Sequence, residues 1–249
     1  MRLVRYLSAV GCLAASTLAA IATTDVPLPR EKPQLPTEAE AATDGPVNDQ
    51  TTTPDEGAEP DRLLGRPVDD SALALCLADL ERLGVVFEPV AEIEDAPCQV
   101  FAPLNVTALR GVSLSVSATL TCDMARATAE WLDDIVHPEA RRLGADLTGL
   151  QVAASYICRT RNSQEGAEIS EHGHANALDI SAFLFETRPP IAVQPYDRLN
   201  SRETLFLDRV RTGACHHAMT VLGPGSDGFH ADHIHLDAAP RSGGYRLCR

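Results

Sequence analysis

The chain lacks the sequence motifs of several large enzyme classes. Its 249 residues contain no His-Glu-x-x-His motif, no Gly-x-Ser-x-Gly elbow and no Gly-Lys-Ser or Gly-Lys-Thr loop. These absences argue against the helical zinc-protease site, the α/β-hydrolase nucleophile and the phosphate-binding loop. The nearest approach to the hydrolase motif, around Ser226, has Pro224 at the position of the first glycine. No Cys-x-x-Cys pair is present either, which disfavours a cysteine zinc cluster.

Long apolar runs are absent apart from one near the N-terminus. Residues 1–22 open with the basic segment Met1–Arg5 and continue with an alanine-rich apolar run that ends at Ala20–Ala22. This pattern predicts a secretory signal peptide. The run is too short to predict a stable membrane span. Cys12 lies inside the run, not at its end, so we do not expect a lipid anchor there.

Residues 23–62 are predicted to be a disordered linker. Between Thr23 and Asp61 the chain has seven prolines, no aromatic residue, and ten acidic against two basic residues. Such a segment buries too little apolar surface to offset the entropy cost of ordering it. It also holds much of the net charge of −14. The remainder is mildly acidic, and we expect no nucleic acid as a partner.

Six cysteines lie beyond the predicted signal peptide, and their even number in an exported protein predicts three disulfides. The sequence leaves their pairing open. Disulfides persist in an oxidising compartment, so the predicted location is periplasmic or secreted. The six candidates are Cys76, Cys98, Cys122, Cys158, Cys215 and Cys248.

Residues 63–249 are predicted to form one α+β domain, with a small and mainly antiparallel sheet on which helices pack. The predicted helices are Ser71–Gly84, capped by Ser71, Asp123–His137, capped by Thr121, and one that follows Ser201. Trp131, on the apolar stripe of the second helix, is predicted to be a core residue. The predicted strands are Val85–Phe87, Gln151–Cys158, Ala218–Leu222 and His233–Asp237.

Histidine and aspartate side chains in two segments suggest a metal site. His172 and Asp179 flank a segment of small residues, and His233 and His235 alternate onto one face of a predicted strand. Three nitrogen or oxygen ligands leave one corner of a zinc tetrahedron open. An open corner is typical of catalytic zinc.

The first of these segments resembles a known signature. Ser170-x-His172-x-x-Ala175-x-Ala177-x-Asp179 is similar to the S-x-H-x-x-G-x-A-x-D pattern of the zinc peptidase superfamily that contains lysostaphin, D-Ala-D-Ala carboxypeptidases and hedgehog domains. A peptidase-like zinc site is the fold feature that this resemblance implies. Ala175 replaces the usual glycine, which affects the expected backbone geometry and not the metal chemistry.

A larger span resembles the bacterial extensin-like C-terminal family. The resemblance runs from about Cys98 to Arg249, although the chain has no Ser-Pro repeat of the kind found in plant extensins. The matching segments are Tyr156–Asn162, Ser170–Phe183, Val221–Gly225, His230–Asp237 and Tyr245–Arg249.

The resemblance implies a role for each matching residue. Zn²⁺ would be the cofactor, with His172, Asp179 and His235 as its ligands. Asp232, three residues before the last ligand, would be the general base. His230-x-x-His233-x-His235 also fits the penicillin-insensitive murein endopeptidase branch, which makes His233 a rival for that role.

Four further residues are candidates to contact the substrate. Arg159 is the first candidate to stabilise the oxyanion of a tetrahedral intermediate, and Arg161 is the second. Ser170 would either hydrogen-bond the substrate or cap a turn. His230 is a further candidate for substrate binding.

The expected function is therefore that of an exported zinc metallopeptidase, a hydrolase of peptide bonds in peptidoglycan stem peptides or crosslinks. A murein endopeptidase is favoured. One alternative is a D,D- or L,D-carboxypeptidase on the same substrate, and another is a catalytically silent zinc-containing module that binds the cell wall. Peptidoglycan is the expected partner, and the protein is expected to be a monomer.

Overall fold

Helices and one mixed sheet make up the described part of the chain, residues 69–194 and 200–249 of a computed structural model. The predicted signal peptide (1–22), the predicted linker (23–62) and the first residues of the predicted domain (63–68) lie outside the described residues. The helices are α1 (Asp70–Arg82), α2 (Cys122–Trp131), α3 (His137–Arg142) and α4 (Ser201–Ala214).

The predicted helix positions are confirmed, with two differences. Asp69, not Ser71, caps α1, because its carboxylate accepts the backbone N–H of Ser71 at 2.9 Å. Thr121 caps α2 as predicted. Beyond α2 the chain continues through a π-helical segment, Leu132–Val136, into α3. Pro138 lies in the first turn of α3, directly after this π-helical segment, and a proline inside a continuous helix is a known cause of such an irregularity.

Nine strands form the sheet of the described residues. Their order is β1-β2-β3-β4-β5-β8-β7-β9, with β6 beside β5. The β3–β4 and β7–β9 pairs are parallel and the other pairs are antiparallel. The strands are β1 (Val86–Pro89), β2 (Leu104–Leu109), β3 (Val112–Leu120), β4 (Leu147–Ala154), β5 (Ala177–Phe185), β6 (Ile191–Ala192), β7 (Thr220–Leu222), β8 (Ile234–Asp237) and β9 (Leu247–Cys248).

The α+β class is confirmed, but the sheet is larger than the small one expected. β2 and β3 form a hairpin around Arg110 and Gly111, both with positive φ, as a two-residue primed turn requires. β5 is a central strand whose residues are nearly all buried. A strand covered on both faces does not show the alternation of polar and apolar residues that identifies a surface strand.

Antiparallel pairing of β5 with β8 separates the core from the site. Leu178 and Ile180 lie opposite Leu236 and Ile234, and all four belong to the hydrophobic core that contains residues of the helices. Successive strand residues point to opposite faces. The intervening pair of Asp179 and His235 therefore points away from that core.

Trp131 anchors the packing of the helices on the sheet. Only 1% of its surface is exposed, its ring lies 6.2 Å from that of Phe183 between centroids, and its Nε1–H donates to the carbonyl oxygen of Val210 in α4 at 2.9 Å. Its predicted core position is confirmed.

All six predicted cysteines are paired. Cys76–Cys122 ties α1 to α2, Cys98–Cys158 ties the β1–β2 connection to the loop after β4, and Cys215–Cys248 ties the end of α4 to β9. Three disulfides fit a protein located outside the reducing cytoplasm. Within residues 69–194 and 200–249, no helix has the length and apolarity needed to cross a membrane.

Candidate metal centre

The three predicted metal ligands converge on one point. Asp179 on β5 is the direct cross-strand partner of His235 on β8. His172 lies in a 3₁₀ turn, Glu171–His174, which leads into β5. The exposed fractions are 1% for His172, 4% for Asp179 and 8% for His235. Two adjacent strands and one preceding turn thus bring together side chains that are far apart in sequence.

The distances between the donor atoms fit a small cation. His172 Nε2 lies 3.1 Å from Asp179 Oδ2 and 3.2 Å from His235 Nδ1, and His235 Nδ1 lies 2.8 Å from Asp179 Oδ1. Ligands at about 2.0–2.1 Å from a tetrahedral ion are separated from each other by about 3.3 Å. This buried group can therefore hold a metal ion.

Neighbouring groups orient both imidazole rings. His172 Nδ1 donates to the carbonyl oxygen of Ser155 at 2.6 Å, which leaves Nε2 facing the metal position. Asp237 Oδ2 lies 3.5 Å from His235 Nε2, on the far side of that ring from Nδ1. Carboxylate and carbonyl partners of this kind fix the tautomer of metal-binding histidines. Sequence reasoning missed Asp237, although its place two residues after His235 puts it on the same strand face.

The electrostatics of the ligands are strongly coupled. Burial alone would raise the pKa of Asp179, but hydrogen bonds and charge from His172 and His235 outweigh it and hold that pKa well below its usual range. Burial would lower the pKa of His235, but the carboxylates of Asp179 and Asp237 outweigh it and raise the pKa to about 9. Asp179 is therefore ionised at neutral pH, and a cation is favoured beside it.

His233, and not Asp232, lies next to the three ligands. β8 begins at Ile234, so both residues precede the strand. His233 Nε2 lies 3.6 Å from Asp179 Oδ2, while His233 Nδ1 donates to Asp232 Oδ1 at 2.8 Å. The Asp232 side chain is 63% exposed. Asp232 thus lies behind the His233 ring and fixes its tautomer.

The ligands open into a cleft of about 400 Å³ that also contains the predicted substrate-contacting residues Arg159, Arg161, Ser170 and His230. Arg159 lies on the loop after β4, because that strand ends at Ala154 and not, as predicted, at Cys158. In the described part of the chain, Arg159 has no carboxylate partner.

The other three predicted contacts have partners of their own. Arg161 Nη1 pairs with Glu168 Oε2 at 2.9 Å. Ser170 caps the ligand turn, with its hydroxyl accepting the backbone N–H of His172 at 3.4 Å. His230 Nδ1 donates to Asp227 Oδ1 at 2.7 Å. Burial holds the pKa of His230 below its usual value, although Asp227 acts in the opposite sense, so this ring enters the cleft uncharged at neutral pH.

Two small residues shape the ligand turn. Ala175 ends it with φ +53°, the left-handed conformation that favours glycine. This explains why the resembling signature has glycine there. Gly173 packs against Ile169 and the Cys98–Cys158 disulfide, since an added Cβ would lie 2.7 Å from Ile169 Cγ2 and 3.0 Å from Cys98 Sγ.

The structure thus defines an α+β domain with three disulfides and a buried His–Asp–His group that can bind a metal. Residues 74–249 match the family model described as Extensin-like protein C-terminus. This match covers most of the chain, and the chain belongs to that family. No curated protein and no solved structure matches it.

Proposed function

We propose that the chain is a zinc-dependent hydrolase of peptide bonds in peptidoglycan, acting as a murein endopeptidase. One observation carries the proposal: three buried donors, His172, Asp179 and His235, lie within 4.8 Å of one another and open into a cleft. Two imidazoles and one carboxylate are a ligand set typical of catalytic zinc, which keeps a further position for substrate or water.

A bound zinc ion supplies Lewis-acid chemistry, since it lowers the pKa of water and polarises a carbonyl group. The protein has to supply the proton transfers. With Nδ1 donating to Asp232 at 2.8 Å, His233 keeps Nε2 free to accept a proton from the attacking water and to return it to the departing amine. Asp232 stabilises the imidazolium formed in between. The sequence favoured Asp232 as the base, and the geometry favours His233 with Asp232 as its partner.

Arg159 is suited to the charge that develops on the substrate. It lines the cleft, and the one hydrogen bond of its guanidinium in the described residues is to the carbonyl oxygen of Thr160 at 3.3 Å. A guanidinium without a carboxylate partner is available to stabilise an oxyanion. The resemblance to murein peptidases supplies the substrate class. The disulfides and the predicted signal peptide support a periplasmic or secreted location.

The test is digestion of purified sacculi by the full-length protein. Wild type is assayed with zinc and with a chelator, and the variants are assayed with zinc. Chromatography of the products should show new muropeptides with the wild type and with His216→Ala, a control at an exposed histidine outside the cleft. His172→Ala should lose both zinc and activity. His233→Ala should keep zinc and lose activity by about 10²–10⁴-fold.

The products also separate the alternatives. Loss of crosslinked species identifies an endopeptidase, whereas release of a single D-amino acid with intact crosslinks identifies a carboxypeptidase. If folded and zinc-loaded wild type leaves the muropeptides unchanged but is retained on sacculi, the chain is a binding module and the hydrolase proposal is wrong.

A further inference from the structure

Arg241 is a second arginine of the cleft, and sequence reasoning gave it no role. It lies four residues after Asp237, in the segment between β8 and β9, and it lines the cleft together with Thr220 and Leu247. Its side chain is 29% exposed. Most of the side chain is therefore enclosed while part of it remains accessible from the cleft.

The guanidinium of Arg241 is held in place but has spare donors. Nη2 donates to Thr220 Oγ1, which is the one hydrogen bond that this guanidinium makes within the described ranges. Nε is buried and has no hydrogen-bond partner there. A guanidinium presents several N–H donors in a planar fork, and most of them are unsatisfied here. The accessible Nη donors that Thr220 leaves unused are available to an anionic ligand in the cleft.

Asp237 does not satisfy the guanidinium. The shortest approach between them is 3.8 Å, from Arg241 Nη2 to Asp237 Oδ2, which is too long for a hydrogen bond. The oxygens of Asp237 contact other groups, Oδ2 with His235 Nε2 at 3.5 Å and Oδ1 with the backbone N–H of Ala239 at 3.2 Å.

The order of the strands places the two arginines on opposite sides of the metal ligands. Arg159 follows β4, which borders β5, while Thr220, the partner of Arg241, lies on β7, which borders β8. Asp179 and His235 lie on the central pair, β5 and β8. A peptide lying across the ligands from Arg159 would reach Arg241 on the far side.

We infer that Arg241 binds a carboxylate of the substrate, on the side of the metal ligands opposite to Arg159. This inference rests on the proposed function for the identity of the ligand, an acidic peptide. Arg241 lies beyond Asp237 from His235, with Asp237 Oδ2 at 3.5 Å from His235 Nε2 and at 3.8 Å from Arg241 Nη2. An extended residue spans about 3.3–3.6 Å, so the carboxylate belongs to a residue a few positions away from the bond that is cut.

The experiment compares Arg241→Gln, which removes the charge, with Arg241→Lys, which keeps it. Arg82→Gln is the matched control, because Arg82 is an exposed arginine on α1. Each change is made in full-length, zinc-loaded protein that also carries His233→Ala to suppress hydrolysis. The probes are a synthetic peptidoglycan stem peptide with free carboxylates and the same peptide with its carboxylates amidated. Calorimetry gives peptide affinity, and competition with a chromogenic chelator gives zinc affinity.

Arg241→Gln should weaken binding of the free-acid peptide by about tenfold or more, as expected for a lost charge-assisted hydrogen bond. It should leave the amidated peptide and zinc within about twofold of the Arg82→Gln control. Arg241→Lys should be intermediate. Equal weakening of both peptides would contradict the inference. So would a parallel loss of zinc affinity, because Arg241 would then act through Asp237 and His235.

The same variants distinguish failure of this inference from failure of the proposed function. If wild type cleaves no muropeptide but binding of the free acid still depends on Arg241, the hydrolase proposal is wrong and the carboxylate subsite stands. If wild type cleaves muropeptides and Arg241→Gln lowers affinity for neither peptide, the subsite alone is wrong.

Discussion

Replacing Gly173 by alanine should disturb the metal centre through the turn that carries His172. The new Cβ would lie 2.7 Å from Ile169 Cγ2 and 3.0 Å from Cys98 Sγ. Neither neighbour can move easily. Ile169 is branched at Cβ and therefore stiff, and Cys98 is held by its disulfide to Cys158. The turn has to shift instead, and His172 shifts with it.

Two effects of this change can be given magnitudes. Overpacking of a well-packed site costs about 1–3 kcal/mol of unfolding free energy. Displacing His172 also weakens its hydrogen bond to the Ser155 carbonyl, now 2.6 Å long. Losses of such orienting contacts lower metal affinity by about 10–100-fold. The two effects should appear together, because one movement of the turn causes both.

The assay combines guanidinium unfolding under non-reducing conditions with zinc competition against a chelator. Gly228→Ala is the control, since an added Cβ there has no atom within 4 Å and should change neither quantity. In an Ile169→Ala background, Gly173→Ala should lower the free energy of unfolding by a smaller amount, because its closest clash is removed. A Gly173→Ala protein with wild-type stability and zinc affinity would refute this account of the turn.

The pKa of His235 is raised to about 9. Below that pH, binding of zinc has to displace a proton from this ring. Zinc affinity should therefore rise about tenfold per pH unit and level off near pH 9. Calorimetry in buffers of different ionisation enthalpy should detect about one proton released at pH 7, and release of none would contradict this. Asp237→Asn should lower zinc affinity by about 10–100-fold with a near-normal circular dichroism spectrum, and an unchanged affinity would show that Asp237 does not orient His235. Replacing Cys98 and Cys158 by serine should lower zinc affinity even when the variant is fully folded. Zinc affinity is therefore measured at a temperature where the variant is fully folded, so that its lower folding stability does not contribute.

The ligand residues could be predicted from the sequence because they lie in short segments rich in metal-binding residue types. His172 and Asp179 share one short segment, and His235 lies in a His-rich segment. The resemblance to zinc peptidases then assigned a role to each. The structure brings these three side chains together in the expected place. The base could not be assigned, because it depends on where β8 begins. With the strand starting at Ile234, His233 contacts the ligands and Asp232 does not.

Other parts of the site cannot be predicted from any local pattern in the sequence. Arg241 reaches the cleft only because β7 lies beside β8 and β9 beside β7 in the sheet, and no local pattern encodes that order. The support of His172 by Ser155 depends in a similar way on where β4 ends. The sequence predicted a strand through Cys158 in place of this loop. The apolar residues of this segment suit a strand as well as a loop that is tied by a disulfide.

Two kinds of backbone structure position the candidate ligands, and they differ in how easily a substitution can displace the ligand. Asp179 and His235 face each other across a ladder of central strands, so backbone hydrogen bonds fix their separation. His172 depends on a short turn that contacts the loop after β4. The N–H of Ile157 donates to the carbonyl of His172 at 3.2 Å, and the N–H of Ser170 donates to that of Arg159 at 3.0 Å. The loop that carries Arg159 therefore also positions His172, and movement of one is transmitted to the other.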